Sequence, residues 1–490
     1  MSKNPVAIIG AGVGGLSAAI HLASKGFQVT IFESRDTVGG RANVISSSGY
    51  RFDTGPSLLN YPWVFEELFE TAGKDLHDEL ELIKVDPAVK FVWPDNTYLE
   101  LSSDLHVLAN ELERFEPGSS TGLLSFLADA RNKYEIAFSR LVTKNADSAL
   151  EWFRAAGPKH LTQLGLARSM DSQLNKHFKS SKVREALGSY AMYLGGSPYD
   201  LRGIFSILPF GEIYYGLWLP KNGMYALIEK MAELALSMGV EIRTGEDVLE
   251  ITTDNQCVTG IRTENGQFSV RSVVSNVDVP TTLLELIGDG DVTHKTKMTP
   301  GVVTFYLGIR NKFPSMNHHT IFLNEQYKKS FELVTGGRMI PDEPPFYVSI
   351  PSNTDPDLAP PGCSAMFALV PVPTISRLRN PDWNEIVTNL RTYIFSQLKY
   401  QGISIDESNI EFEEVWTPIE WKDKFGLYDG SAFGAAHNLN QIGPFRAPNK
   451  SRSVNGLYFV GASTTPGTGV PMCVLSGKMV ASRVVEDYAC

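Results

Sequence analysis

The stretch Val6-Ala7-Ile8-Ile9-Gly10-Ala11-Gly12-Val13-Gly14-Gly15 constrains the fold most. An apolar run of strand length breaks into glycines, and a helical stripe of Leu16, Ala19, Ile20 and Ala23 follows at once. Gly10, Gly12 and Gly15 fit the G-x-G-x-x-G spacing. One glycine serves the tight turn, one lets backbone approach a pyrophosphate, and one allows close helix–strand packing. The helix N-terminus then offers free N–H groups and a positive dipole end to phosphates. Lys25-Gly26 closes the helix, and the run Val29-Thr30-Ile31-Phe32 ends in Glu33, at the separation needed to bond a ribose hydroxyl. These residues predict a Rossmann-like βαβ cradle for a dinucleotide. An acid at 33 argues against a 2′-phosphate and so against NADP, leaving NAD and FAD.

Composition bounds the rest. A chain of 490 residues suggests two or three domains, and 43% hydrophobic residues suffice for buried cores. A net charge of −11 makes nucleic acid a poor partner. The four cysteines, Cys257, Cys363, Cys473 and Cys490, form no C-x-x-C pair, which fits a reducing compartment and argues against a disulfide framework or zinc site. His318-His319 reads as a strand edge or loop rather than a ligand pair, and no metal is expected. Met1 to Pro5 lead straight into the first strand, so no signal or transit peptide is expected, and no apolar stretch reaches spanning length.

Two loops follow the cradle. Gly39-Gly40-Arg41 can wrap a dinucleotide, its arginine pairing with phosphates or lying over a flavin edge. Asp53-Thr54-Gly55-Pro56-Ser57 supplies a further turn. Together with Gly10–Gly15 and Glu33, this pattern resembles the FAD-binding amine oxidase superfamily. Within it the chain resembles the bacterial and fungal type of phytoene desaturase, the carotenoid desaturases. The closer likeness lies in Leu194-Gly195-Gly196-Ser197-Pro198-Tyr199, in Gly216 to Met224, in Gly430 to Asn438 and in Leu457 to Thr464.

The chain divides by pattern. Residues 1–88 are the first part of the FAD-binding domain. Residues 89–215 are read as a helical substrate and membrane subdomain, opened by a hairpin of Val89–Trp93 and Tyr98–Leu101 and helical from about 105. Between 151 and 190, seven basic residues (Arg154, Lys159, Arg168, Lys176, Lys179, Lys182, Arg184) outnumber three acids and interleave with Trp152, Phe153, Leu161, Leu164, Leu166 and Phe178. That mixture suits either a lipid surface or a solvated helical face. Residues 216–298 return to the FAD-binding domain. There, Met224, Leu227, Ile228, Met231, Leu234, Ala235 and Met238 share one helical face of core character, and a strand meander turns at Asn265-Gly266. Residues 299–445 read as an antiparallel-sheet substrate domain interrupted by one helix, with Trp383, Ile386, Val387, Leu390 and Ile394 on its face. Residues 446–490 close the FAD-binding domain with a strand ending in Gly461 and a helix from about Val470.

With no G-x-S-x-G turn and no catalytic Cys–His pair, the hard chemistry falls to the cofactor. Cofactor contacts are expected at Gly10, Gly12, Gly14, Gly15 and Glu33, at Gly40, Arg41, Gly55, Pro56 and Ser57, and at Gly461, Val470, Pro471 and Met472. The resemblance adds Val248, whose backbone would meet the adenine. It implies hydride transfer from a phytoene-like polyene to FAD, a substrate drawn from a membrane, quinone or oxygen as electron acceptor, and a peripheral position on the cytoplasmic side. His437 is the one candidate proton acceptor, against a structural role. Two departures stand out: Thr465 replaces the usual histidine in Ser463-Thr464-Thr465-Pro466-Gly467, and Lys221-Asn222-Gly223 replaces basic-Gly-Gly. They leave open a carotenoid isomerase or oxidase, a flavin amine or porphyrinogen oxidase, and a binding module without flavin. The intact glycine turn with Glu33 speaks against the last of these.

Overall fold

The computed structural model describes residues 4–146, 148–289 and 296–489. Its organising element is a five-stranded parallel sheet in the order Leu457–Phe459, Ser272–Ser275, Pro5–Ile9, Gln28–Phe32, Glu241–Arg243. The central strand Pro5–Ile9 is almost wholly apolar, as a strand covered on both faces must be. Helix Val13–Ser24 and the final helix Val470–Ala489 pack together on one face. They approach closely because Gly477 lacks a side chain: a Cβ there would lie 2.4 Å from Ser17 Oγ. Ser17 Oγ instead donates to the Val474 carbonyl at 2.7 Å. The helix Met224–Ser237 buries the apolar face read from its periodicity, with Met238 at the rim. The meander Val248–Asp254, Cys257–Thr263, Gly266–Ser269 covers the sheet's other face. Its turn is one residue earlier than expected. Thr263 pairs with Gly266, so Glu264 and Asn265 occupy the bend.

A seven-stranded sheet forms the second layer, in the order Ile410–Trp416, Gly301–Ile309, Ser364–Val372, Phe346–Ser349, His319–Phe322, Val89–Val92, Tyr98–Leu101. The hairpin at 89–101 therefore belongs to this sheet and not to the helical part that was expected to begin at 89. Its junction with His319–Phe322 is the sheet's one parallel pairing. A hairpin arriving from the first half of the chain has no short turn to dictate its direction. Residues 299–445 hold three α-helices rather than one: Tyr327–Thr335, Trp383–Tyr400 and Pro418–Phe425. The first is carried by Tyr327, Phe331 and Val334, buried at helical spacing on an otherwise polar segment.

Along the chain, the helices of residues 105–215 come between the hairpin at 89–101 and the return to the parallel sheet. In the 151–190 stretch, Leu164 and Phe178 are fully buried and so unavailable to any surface. Lys182 pairs with Asp95 and Arg184 with Asp171, which removes part of the basic excess. Phe153 remains exposed.

Candidate active site

Three strand ends meet at the glycine turn. Gly10 has φ +92° and donates its N–H to the Phe32 carbonyl at 2.7 Å. A Cβ at Gly15 would fall 2.1 Å from the Gly10 carbonyl oxygen, so the helix can start here only without a side chain. Against this turn stands Asn276, whose backbone N–H bonds the Ile9 carbonyl at 2.8 Å. A Cβ at Gly12 would lie 2.6 Å from its Nδ2, one at Gly14 2.6 Å from its Oδ1, and one at Gly461 2.8 Å from the same Oδ1. Asn276 was legible only as a strand end. Its wedging role depends on the register of three strands.

Helix Val13–Ser24 carries no side-chain cap at its N-terminus, so its first N–H groups face the turn. Glu33, buried at the end of the second strand, accepts from Ala11 N–H at 2.7 Å and Arg35 N–H at 3.1 Å. Burial pushes its carboxyl up, and these two bonds pull the other way. Gly39 N–H bonds the Ala11 carbonyl at 2.9 Å, which sets Gly40 beside Gly12. The donors, the turn and the carboxylate fit an FAD pyrophosphate and ribose.

Arg41 is anchored on both sides of the loop's far end. Its guanidinium bonds Asp278 at 3.2 Å and the Ala432 carbonyl at 3.1 Å, tying the loop to the second layer. Gly55 packs so closely on the Arg41 carbonyl that a Cβ would lie 2.5 Å from its oxygen. Next to Pro56, Ser57 Oγ shares a 2.8 Å hydrogen bond with Tyr347 Oη. Asp53 accepts from Met224 N–H at 2.7 Å and Tyr225 N–H at 2.9 Å, capping the core helix. Burial pushes its carboxyl up to about 6. This cap explains the Lys221-Asn222-Gly223 departure. A Cβ at Gly223 would lie 2.7 Å from Asp53 Oδ2, so that glycine stays, whereas Asn222 tolerates its φ of +69°. Lys221 is held by Asp355 and Asp357. Val248 is buried where the meander leaves the sheet. Its neighbour Glu246 donates its N–H to the Glu33 carbonyl at 2.9 Å.

The far end of the chain completes the site. After Gly461, Ser463 Oγ accepts from Val279 N–H at 2.9 Å. Thr465 donates its hydroxyl to the Ala447 carbonyl at 3.0 Å. Arg446 sits behind this turn, buried without a carboxylate. Its guanidinium donates to the carbonyls of Thr464, Ala462, Ala435, Ala436 and Gln441. Burial lowers its pKa to about 10, so it stays charged at neutral pH. His437 lies under the turn, with its Nε2 accepting from Thr468 N–H at 3.4 Å and its Nδ1 without a partner. Burial and the nearby Arg446 charge push its pKa well down. The helix of Val470, Pro471 and Met472 then begins, its N-terminus turned into the same region.

A cavity of about 750 Å³ runs from this turn to the surface. Met472, Thr468 and His437 line its inner end; Tyr61, Phe138 and Phe205 form its walls. Its mouth is flanked by Phe153, Leu439 and Phe445, which are 40%, 52% and 56% exposed. Among the described residues no group of histidines, cysteines and carboxylates is arranged to hold a metal.

A glycine turn, a ribose-side carboxylate and a second helix N-terminus brought from the far end of the chain define a flavin-dependent oxidoreductase. A model of the family described as flavin containing amine oxidoreductase matches residues 13–485, and the chain belongs to that family. It is 36% identical, over 98% of its length and 93% of the relative's, to a zeta-carotene-forming phytoene desaturase of Myxococcus xanthus. It is 33% identical to a 4,4'-diapolycopene oxygenase of Methylomonas sp, over 98% of each. Among solved structures, a putrescine oxidase bound to putrescine matches with a TM-score of 0.62 at 13% identity, covering 99% of each chain. A fatty acid isomerase from P. acnes matches with 0.61 at 14%, covering 98% of each chain. These two likenesses concern the fold.

Proposed function

We propose that this protein desaturates a carotenoid precursor, a phytoene-like polyene, which it takes from the membrane surface on the cytoplasmic side. The observation that carries this reading is the cavity itself. Its walls are largely apolar, and it joins the flavin-side turn to a mouth flanked by exposed Phe153, Leu439 and Phe445. Bound FAD supplies an acceptor for hydride. The chain's own residues would hold that cofactor and shape a largely apolar passage.

The size of the substrate argues for a lipid source. At about 0.8 kcal/mol per CH₂, a hydrocarbon of carotenoid size would cost on the order of 30 kcal/mol to carry through water. Direct passage from bilayer to cavity avoids that cost. Among the described residues no helix is long and apolar enough to cross a membrane, so the reading is of peripheral docking. Leu150 is exposed one turn before Phe153 on helix Ala149–Ala156 and extends the apolar rim, with exposed Lys144 nearby at the cavity mouth. A membrane quinone, or oxygen, would reoxidise the flavin.

The test is incubation of protein and FAD with phytoene-loaded liposomes. A product with a longer chromophore supports the reading. A change in polyene geometry alone points instead to an isomerase. Failure of the protein to bind flavin, or of phytoene to react, overturns the reading.

A further inference from the structure

A second cavity, of about 240 Å³, shares a wall with the first: Leu166 lines both. Its chemistry is different. Lys133, Arg168 and Lys176 line it against a single carboxylate, Asp129, in a chain whose net charge is −11. Resting on the membrane docking of the desaturase reading, we propose that this cavity holds the phosphate of an anionic phospholipid headgroup.

Two segments build the site. Helix Ser119–Ala137 supplies Asp129 and Lys133, one turn apart on one face. The stretch around the short helix Met170–Leu174 supplies Arg168, Gln173 and Lys176. The Lys133 side chain is 1% exposed, and its ammonium donates to Asp129. An ammonium carries three donors. Among the described residues only Asp129 accepts from this one. Asp129 is shared in turn, because Gln173 Nε2 donates to it at 2.8 Å. Lys176 Nζ donates to Gln173 Oε1 at 2.9 Å, a neutral partner that leaves its charge unanswered. The guanidinium of Arg168 has neither hydrogen bond nor ion pair among the described residues. Of the seven basic residues between 151 and 190, Lys182 and Arg184 are paired with acids. Arg168 and Lys176 are not, and both line this cavity.

Charged donors therefore outnumber carboxylates here. Burial pushes the Lys133 pKa down, Asp129 resists, and the Lys176 charge adds to the push. An anion beside the two ammonium groups would offset both costs. Phosphate suits the set, since it offers several acceptor oxygens to a planar guanidinium fork and to ammonium point charges alike. The cavity is smaller than pockets for drug-sized ligands, which run to about 300–1,000 Å³. That favours a headgroup over a nucleotide.

The setting favours lipid as the source of the phosphate. Leu161, Thr162 and Gln163 of helix Pro158–Gln163 line the cavity, and that helix follows at once on Ala149–Ala156, whose exposed Leu150 and Phe153 form the apolar rim. Thr162, Arg168 and Lys176 are exposed, so the cavity opens to the surface. Acyl chains against the rim would leave a phosphate within reach of these cations. They also answer an electrostatic difficulty, because an acidic protein is otherwise repelled by an anionic bilayer.

Co-sedimentation with vesicles of phosphatidylglycerol or of phosphatidylcholine tests the site. Each basic residue at a lipid surface is worth about fivefold in binding. The wild type should prefer phosphatidylglycerol by at least tenfold. Arg168→Glu with Lys176→Glu should abolish that preference and leave phosphatidylcholine binding, flavin absorbance and melting temperature unchanged. Lys312→Glu with Lys399→Glu makes the same change in net charge at exposed residues of the second layer, and should keep the preference within about twofold. Equal losses in the two double variants would mean that net charge alone acts, and would overturn the site. A wild type that binds both vesicles alike overturns it too. Calorimetry with inorganic phosphate and no lipid addresses the soluble source. Heat of binding that Arg168→Glu with Lys176→Glu removes, in a protein without preference between the vesicles, overturns the lipid assignment. A protein that keeps its preference but leaves phytoene untouched overturns the desaturase reading and not the site. One that desaturates phytoene and binds both vesicles alike does the reverse.

Discussion

The Asn276 side chain occupies the space that any side chain on Gly12 would need: a Cβ there would lie 2.6 Å from Nδ2, and the next nearest group is 3.8 Å away. Gly12→Ala must therefore displace the amide or the turn. Overpacking of this kind costs about 1–3 kcal/mol. FAD affinity should fall at least tenfold, read by flavin absorbance on titration. Combining Gly12→Ala with Asn276→Ala should recover part of both losses, because the obstructing atom is gone. Additive losses in the double variant would mean that the amide is not the obstacle.

Asp53 links stability to pH. Its ordinary pKa is near 3.8 and burial raises it to about 6 in the fold. The folded state thus binds a proton more tightly than the unfolded chain. The resulting stabilisation is fully present below about pH 3.8 and is lost as pH rises through 6. A shift of this size corresponds to about 3 kcal/mol. Urea unfolding between pH 4 and 7 should show that slope in the wild type. Asp53→Asn retains an oxygen for the helix N–H groups but cannot titrate, and should flatten it.

Arg446 is a cation satisfied by carbonyls alone. Replacing it with Met leaves five carbonyls short of their donor, from two segments that it holds together. The loss should be about 3–5 kcal/mol, seen as a lower melting temperature. Arg446→Lys keeps the charge but offers three donors without the planar fork, and should recover only part. Equal melting temperatures for wild type and Arg446→Met would refute the staple.

The apolar rim makes a separable prediction. Phe153→Asp with Phe445→Asp should lower co-sedimentation with liposomes by at least tenfold, since burying each aromatic side chain contributes about 1.5–3 kcal/mol. FAD binding should be unchanged. Unaltered co-sedimentation would move the docking face elsewhere on the molecule.

How much of this was legible depended on whether a role is local. The glycine turn, Glu33 and the helix after Gly223 were readable because strand, turn and helix are contiguous in sequence. Asn276 was not, because its task arises only when its strand comes to lie beside Pro5–Ile9 and Leu457–Phe459. Arg41 reads from its loop as a partner for phosphates or a flavin edge, and its bond to Asp278, 237 positions away, is not visible there. His318-His319 reads as a strand edge, and His319 does open a strand. What its neighbour across the ladder is, and that Tyr347 turns toward it from 28 residues on, is information held by the register alone. The hairpin at 89–101 went to the helical part for the same reason: its partner strand begins only at His319.

The contact of Ser17 with Val474 joins residues 457 positions apart. A ribosome makes the glycine turn long before its closing wall. Until then the sheet lacks its edge strand Leu457–Phe459, and helix Val13–Ser24 lacks the helix that packs against it. Contacts of such long range are slow to form and leave apolar surface open meanwhile. The cofactor cradle is thus among the first segments to emerge and among the last to be finished. A nascent chain halted before Gly461 should hold no flavin, however well its first thirty residues are made.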